Sequence, residues 1–319
     1  MWRFVAMGVV VGLAVVGGIW GYGALQKNPL YGVKLYDNLP TSKAKAAIES
    51  GKPSGDEAAM LQRIASPAQP LWLTTPQAEL TSSVGTVLAG AKSVHKTPIF
   101  VIYGLPGRDC GQHSAGGALH AEQYRGWIDR ISAALVGSKS IVIMEPDALA
   151  SEDCLPGEDI AGRHELIKYA IGRLKSNPRT ILYLDAGNAG WISAQDMAIR
   201  LKLAGISRAD GFAVNVSNYY TTGSSVVFGQ RLARLVDGKG FVVDTSRNGR
   251  GPAGGHQWCN PAGRGLGALP QVAPGPDKVD AYLWIKNPGE SDGICGGGPA
   301  AGQWWPERAL ELARNAQTY

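Results

Sequence analysis

Between residues 101 and 292 an apolar, strand-like run repeatedly passes straight into an acidic residue: VIYGLPGRDC, IVIMEPDALA, ILYLDAG, FVVDTSRNG and YLWIKNPGESDG. Strands buried on both faces read as near-continuous Val, Ile, Leu, Phe and Tyr, because a parallel sheet covered by helices has no wet face. Such strands alternating with helical segments build α/β folds, and an α/β barrel gathers its chemistry at the C-terminal ends of its strands. Carboxylates stationed at those ends therefore constrain fold and chemistry together, and predict an enzyme built on a barrel.

Seven runs fit, at 71–74, 98–103, 140–145, 181–185, 211–215, 241–244 and 281–285. Between them lie helical patterns at 121–135, where Tyr124, Trp127, Ile128, Ile131 and Leu135 recur at three- and four-residue spacing, and at 164–174, 193–203 and 305–313. A lead-in helix is expected within 31–67, with Thr41-Ser42-Lys43 at its start. Glycine and proline crowd into 104–117, 248–267 and 289–302, each directly after a strand, where a barrel carries its active-end loops. No internal repeat or low-complexity linker divides the chain, and a barrel of about 250 residues would fill most of it. One large domain, 28–319, is expected.

Met1-Trp2-Arg3 is followed by 23 uncharged residues, from Phe4 to Gln26. That exceeds the about 7–15 of a signal-peptide core and approaches the roughly 20 that span a bilayer. Gly8, Gly12, Gly17, Gly18, Gly21 and Gly23 weaken a helix there, and Gly21-Tyr22-Gly23 is a poor small-x-small cleavage site. Residues 1–27 are expected to be a membrane anchor or a signal peptide, with Arg3 inside and everything after Lys27 outside the cell in either case. Cys110, Cys154, Cys259 and Cys295 agree with export: they are even in number, lie in the globular part and form no CxxC pair. Two disulfides are expected rather than a metal site. Pairing 110 with 154 and 259 with 295 is preferred, since each would clamp a loop beside an acidic motif. The net charge of +5 comes without a basic block, which argues against a nucleic-acid partner.

Glu145-Pro146-Asp147 ends a strand, and the Ala-Leu-Ala that follows is apolar enough to shield a carboxyl from water. Desolvation raises a carboxylic acid's pKa, as a general acid working near neutral pH requires. The competing reading of Asp147 is as cap of a following helix. Asp109 stands next to Cys110 and before the flexible run from Gly111 to Gly117, and Glu290-Ser291-Asp292 follows Lys286 and precedes Cys295. Each cluster alone fits a surface ion pair, whereas three at strand ends beside cysteines do not. Trp72, Trp191 and Trp258 fall at or just after strand ends; each alone is more readily a packing residue, but tryptophans and carboxylates lining one rim are what a polysaccharide cleft requires, since indole faces stack on sugar rings. The five histidines show no metal spacing and read as surface or loop residues, and no GxSxG turn supports a serine triad.

These motifs are specific enough to name a resemblance. The chain resembles glycoside hydrolase family 6, the inverting cellulases, over about residues 28–316, through NPLY, VIYGLPGRDCGQHSAGG, IVIMEPDALA, YLDAGNAGW, GFAVNVSNYY, VVDTSRNGRGP, QWCNPAGRGLG and AYLWIKNPGESDG in the family's order. The resemblance implies a distorted, incomplete, seven-stranded parallel β/α barrel of TIM-like type. It implies that Asp147 is the proton donor to the glycosidic oxygen and that Asp109 assists it. Asp292 is the implied base, acting directly or through a chain of waters, and Tyr103 lies beside the distorted sugar. Trp72, Asn188, Trp191, Asn218, Trp258, Lys286 and Glu290 are implied to hold substrate, with no metal or cofactor. Inversion calls for an acid and a base about 6.5–9.5 Å apart, leaving space for a water.

Two departures stand out. The family's DAGHAGW is DAGNAGW here, so Asn188 replaces a sugar-contacting histidine, keeping hydrogen bonding but losing titration and stacking. Only eleven residues separate Asp292 from Trp304, far fewer than in the family's cellobiohydrolases, so an open cleft and endo action are expected. With no second domain or Ser/Pro/Thr-rich linker, soluble or nascent β-1,4-glucan is the expected substrate, acted on by a secreted or membrane-tethered monomer. The alternatives are a cellobiohydrolase of the same family and a weakly active glucan-binding accessory protein of cellulose synthesis. A metal-dependent deacetylase on a similar barrel is disfavoured by the absence of a His/Asp ligand pattern.

Overall fold

The computed structural model describes residues 28–74 and 80–316, so the anchor or signal segment expected at 1–27 lies outside the described residues. Seven strands run parallel: β1 (Leu71–Leu73), β2 (Ile99–Ile102), β3 (Ser140–Met144), β4 (Thr180–Asp185), β5 (Gly211–Val214), β6 (Gly240–Asp244) and, after a short β7 (Gln271–Val272), β8 (Val279–Leu283). Their order is β1-β2-β3-β4-β5-β6-β8-β7, with β7 antiparallel on the outer edge of β8. All seven expected runs are strands within two residues of their expected bounds. The sheet differs from the expected seven strands by β7, whose two residues are too few to carry a periodic signal.

Alternation along the strands explains why the runs are apolar throughout. Ile99, Val101, Ile141, Ile143, Tyr183, Val242 and Leu283 pack inside the curl, while Phe100, Ile102, Val142, Met144, Leu182, Phe212 and Val243 pack outward against helices. The curl does not close into a ladder. Across the seam between β1 and β8 the Trp72 indole donates to the Ile285 carbonyl at 2.9 Å, and the Asn28 amide donates to the Asp280 carbonyl at 3.0 Å. Leu30 and Val33 of the lead-in fill the interior beside that seam.

The helices are α1 (Lys43–Glu49), α2 (Asp56–Ala65), α3 (Leu80–Ser93), α4 (Ala121–Leu135), α5 (Gly157–Leu174), α6 (Ala194–Leu203), α7 (Thr222–Leu235) and α8 (Pro306–Arg314). Ser42 and Ser193 cap α1 and α6 by accepting from the amides of Lys45 and Asp196. The five apolar residues expected to face the core from α4 are all buried. One expectation fails on α5: His164 is neither surface nor loop but buried, with Nε2 2.7 Å from Glu152 Oε2. Among the described residues no helix is long and apolar enough to cross a membrane.

Candidate active site

The C-terminal ends of the parallel strands and their loops line one cleft of about 1390 Å³. Tyr103, Asp109, Asp147, Asp292, Trp72, Asn188, Trp191, Asn218, Trp258, Lys286 and Glu290 all border it, so every site residue expected from the sequence is brought together. The two disulfides pair as expected, Cys110 with Cys154 and Cys259 with Cys295.

Asp147 enters the cleft on a tight turn after β3. No α-helix begins there, which removes the capping reading. Instead Glu145 and Asp147 adopt left-handed backbone, with φ of 51° and 67°. Such conformations cost roughly 1–3 kcal/mol each and persist only where the surroundings over-determine them. Ser151 Oγ donates to the Asp147 carbonyl at 2.8 Å, and the Asp147 amide donates to Asp185 Oδ2 at 3.0 Å. Glu145, fully buried, accepts from the amides of Gly104 and Leu105 and from the Tyr124 hydroxyl, joining the roots of the β2 and β3 loops. Burial first, then the charges of Asp185, Asp109 and Asp292, hold the Asp147 carboxyl well above the ordinary range, with Lys286 opposing. Burial likewise pushes Asp185 up to about 7, against hydrogen bonds from the amides of Asp147, Gly187 and Ala186.

Asp109 is fixed by Ser114, whose amide and hydroxyl both donate to Oδ2, at 2.6 and 2.9 Å; Ser114 Oγ also lies 2.9 Å from the Tyr103 hydroxyl. Arg108 ties the same loop down. Its guanidinium donates to the carbonyls of Thr74, Tyr103, Ser114 and Ala115 and stacks 4.7 Å from the Tyr103 ring centroid. Burial and then the Asp147 charge keep the Tyr103 hydroxyl far from ionisation.

The opposite wall is cationic. Arg247, 2% exposed, places Nη1 2.9 Å from both Asp292 oxygens, and Asp292 Oδ2 also accepts from the Tyr219 hydroxyl and the Asn260 amide. Lys286 Nζ stands 3.7 Å from Oδ1. Burial alone would raise the Asp292 pKa, but Arg247, Lys286 and these hydrogen bonds outweigh it and hold the carboxylate below its ordinary range. Arg247 was not anticipated, although it stands three residues beyond the β6 carboxylate Asp244 in the VVDTSRNG motif. Asp185 was read only as a strand end, although ILYLDAG has the same form as the acid motifs.

Trp191 and Trp258 are 45% and 41% exposed, which leaves indole faces free for a ligand, whereas Trp72 is half-buried edge-on to Tyr103. Asn188 Oδ1 accepts from the Gly190 amide at 3.1 Å and Asn218 Oδ1 from the Tyr219 amide at 2.8 Å. Glu290 pairs with Lys43 of α1 at 3.0 Å. The segment from Asp292 to Trp304 is not the only cover on this side. His113, from the β2 loop, lies 5.5 Å from Trp258, ring to ring, and packs on Gly293, joining the two walls that flank β1. It also approaches the sulfurs of Cys259 and Cys295, which are committed to a disulfide and so are not metal ligands.

The sequence model of glycosyl hydrolases family 6 matches residues 30–316. Endoglucanase A of Cellulomonas fimi is 44% identical over 285 residues, covering 87% of this chain and 60% of the relative. Endoglucanase 1 of Streptomyces halstedii is 38% identical over 282 residues, with 86% of each covered. The structure of the endoglucanase Cel6 from Mycobacterium tuberculosis, solved with methyl-cellobiosyl-4-deoxy-4-thio-β-D-cellobioside, superposes with a TM-score of 0.85 at 42% identity, covering 90% of this chain and 99% of that one.

Proposed function

Because the chain belongs to glycosyl hydrolases family 6, we propose that it hydrolyses internal β-1,4-glucosidic bonds of a glucan with inversion, Asp147 being the general acid. The observation that carries this reading is that one cleft holds two carboxyl groups in contrasting surroundings, Asp147 buried among acids with its pKa raised and Asp292 held by Arg247 and Lys286 with its pKa lowered. Two carboxyl groups whose surroundings push their proton affinities apart divide the roles of acid and base.

Asp147 gives its proton to the glycosidic oxygen as the bond to the anomeric carbon breaks and the bonding pair stays on that oxygen. Water attacks the anomeric carbon from the opposite face and loses a proton toward Asp292, leaving an α-hemiacetal. With Arg247, Tyr219 and Asn260 already donating to Asp292, little of its acceptor capacity is free. The proton therefore passes into a chain of waters rather than directly onto Asp292, and a carboxylate this well stabilised serves chiefly as a fixed negative charge that orients them. Trp191 and Trp258 stack on sugars, Trp72 borders the site beyond Tyr103, and Asn188, Asn218, Lys286 and Glu290 hydrogen-bond the chain.

Endo action is supported by the two endoglucanase relatives and by the short segment after Asp292. A chain-end mode is the second reading, and the His113 contact with Trp258 favours it. Two disulfides and the apolar run at 4–26 support export, with the hydrolase domain outside the cell. The test is Asp147→Asn: hydrolysis of cellohexaose lost with cellohexaose binding kept supports the assignment, and unchanged hydrolysis overturns it.

A further inference from the structure

Arg163 takes no part in the chemistry above, yet its guanidinium is buried, at 5% exposure, between the two loops that carry the carboxylates of the acid side. From α5, Nη1 donates to the Ala148 carbonyl at 2.9 Å, next to Asp147. Nη2 donates to the carbonyls of Pro106 and Gly107 at 3.3 and 3.2 Å, just before Asp109. A planar fork of donors suits this task, since one rigid group meets acceptors from two segments at once. Arg200 provides the contrast: from α6 it donates to the carbonyls of Leu149 and Ala150, and so holds the Asp147 loop without touching the Asp109 loop.

Both loops need holding. Asp109 and Asp147 have φ of 55° and 67°, and the Asp109 loop carries Gly107, Gly111, Gly116 and Gly117 at positive φ. Relaxation of either loop would change the distance between the two carboxylates. The Cys110–Cys154 disulfide ties the same loops a few residues further out.

We propose that Arg163 is a positioning residue that fixes the Asp109 loop against the Asp147 loop, so that Asp109 faces the proton donor at a set distance. Asp147 is faced by Asp185 from the end of β4, by Asp292 and Lys286 from beyond β8, by Tyr103 from the end of β2 and by Asp109. Of these, Asp109 stands on the segment that Arg163 grips. Loss of the fork lets Asp109 drift, weakens its repulsion of the ionised donor and lowers the pH at which Asp147 gives up its proton. Removing the positive charge of Arg163 without moving the loop would act in the opposite sense.

This inference rests on Asp147 being the donor, and the test therefore reads Asp147 directly. The carboxyl titration of Asp147 is followed by 13C NMR in the full chain, alongside the melting temperature, for the parent, Arg163→Lys and Arg163→Met. Positioning predicts that Arg163→Lys, which keeps the charge but loses the fork, moves the Asp147 midpoint down by about one pH unit, the order at which one nearby carboxylate acts. A lowered melting temperature with an unmoved midpoint makes Arg163 merely structural and overturns the proposal. So does an unmoved midpoint in Arg163→Lys with an upward shift in Arg163→Met, which would show that charge alone matters. If Arg163→Lys does not fold, Arg163→Gln, which keeps one amide donor but cannot bridge both loops, must lower the midpoint, and an unmoved or raised midpoint there overturns the proposal. Because none of these readings uses substrate, a failure of glucan hydrolysis is distinguishable from a failure of the tie.

Discussion

The amide of Asp147 donates a 3.0 Å hydrogen bond to Oδ2 of Asp185, while Oδ1 of Asp185 is buried with no hydrogen-bond partner among the described residues. The donor's backbone is thus held by a carboxylate whose charge also opposes the donor's ionisation. Asp185→Asn keeps an acceptor for the amide and removes the charge. Because a general acid works only while protonated, activity is lost as pH rises through its pKa. The alkaline limb of kcat/KM on cellohexaose should therefore shift to lower pH in Asp185→Asn. A limb that stays in place would show that Asp185 does not act on Asp147.

Arg247 sets the opposite limb. Its fork holds Asp292 ionised, and lysine cannot reproduce a fork that also donates to the Ser217 carbonyl. Arg247→Lys should move the acid limb of kcat/KM upward and lower kcat by about tenfold or more. An unchanged acid limb would remove Asp292 from the pH dependence.

His113 lies 5.5 Å from Trp258, ring to ring, and packs on Gly293 at the cleft, so its removal should ease the entry of an internal stretch of glucan. In His113→Ala the viscosity of carboxymethyl-cellulose should fall further per bond cleaved than with the parent, while cellohexaose turnover changes less than about threefold. Equal viscosity loss per bond cleaved would mean that the contact does not restrict entry.

Stability should decline from acid to neutral pH. Burial pushes Glu145 and Asp280 each up to about 7. In the unfolded chain such groups titrate near about 4, so the folded state binds their protons more tightly. A raised carboxyl contributes stability that is present below the unfolded pKa and lost as pH rises toward the folded one. Each group then lowers the unfolding free energy as pH rises between about pH 4 and 7. Asp280→Asn, which keeps an acceptor for the Tyr183 hydroxyl, should flatten the fall in unfolding free energy across that window. An unchanged slope would place the Asp280 titration elsewhere.

The parts of the site that follow from strand ends were legible in the sequence, and those that follow from long-range packing were not. Asp109, Asp147 and Asp292 announce themselves because they stand three to nine residues beyond the ends of apolar strands, on the loops where a barrel carries its chemistry. Arg163, Arg200 and Arg247 look like any other arginine on a helix or loop. Their roles come from carbonyls and carboxylates up to 57 positions away in the chain, brought close only by the curl of the sheet. His164 reads as a surface residue in sequence because its partner Glu152 lies on the one-turn helix Glu152–Cys154, which carries no periodicity. Helix α7 carries no clear sequence signal because its first turn, Thr-Gly-Ser-Ser, has the composition of a loop.

The most direct measurement is the hydrolysis of cellohexaose followed by 1H NMR and of carboxymethyl-cellulose followed by viscometry, reading the anomeric form of the first products from cellohexaose. An inverting, endo-acting site with Asp147 as acid and water attack from the Asp292 side predicts α-anomers first and an early fall in viscosity. First products in the β form would contradict it, because they require a covalent intermediate or a different pairing of the carboxylates.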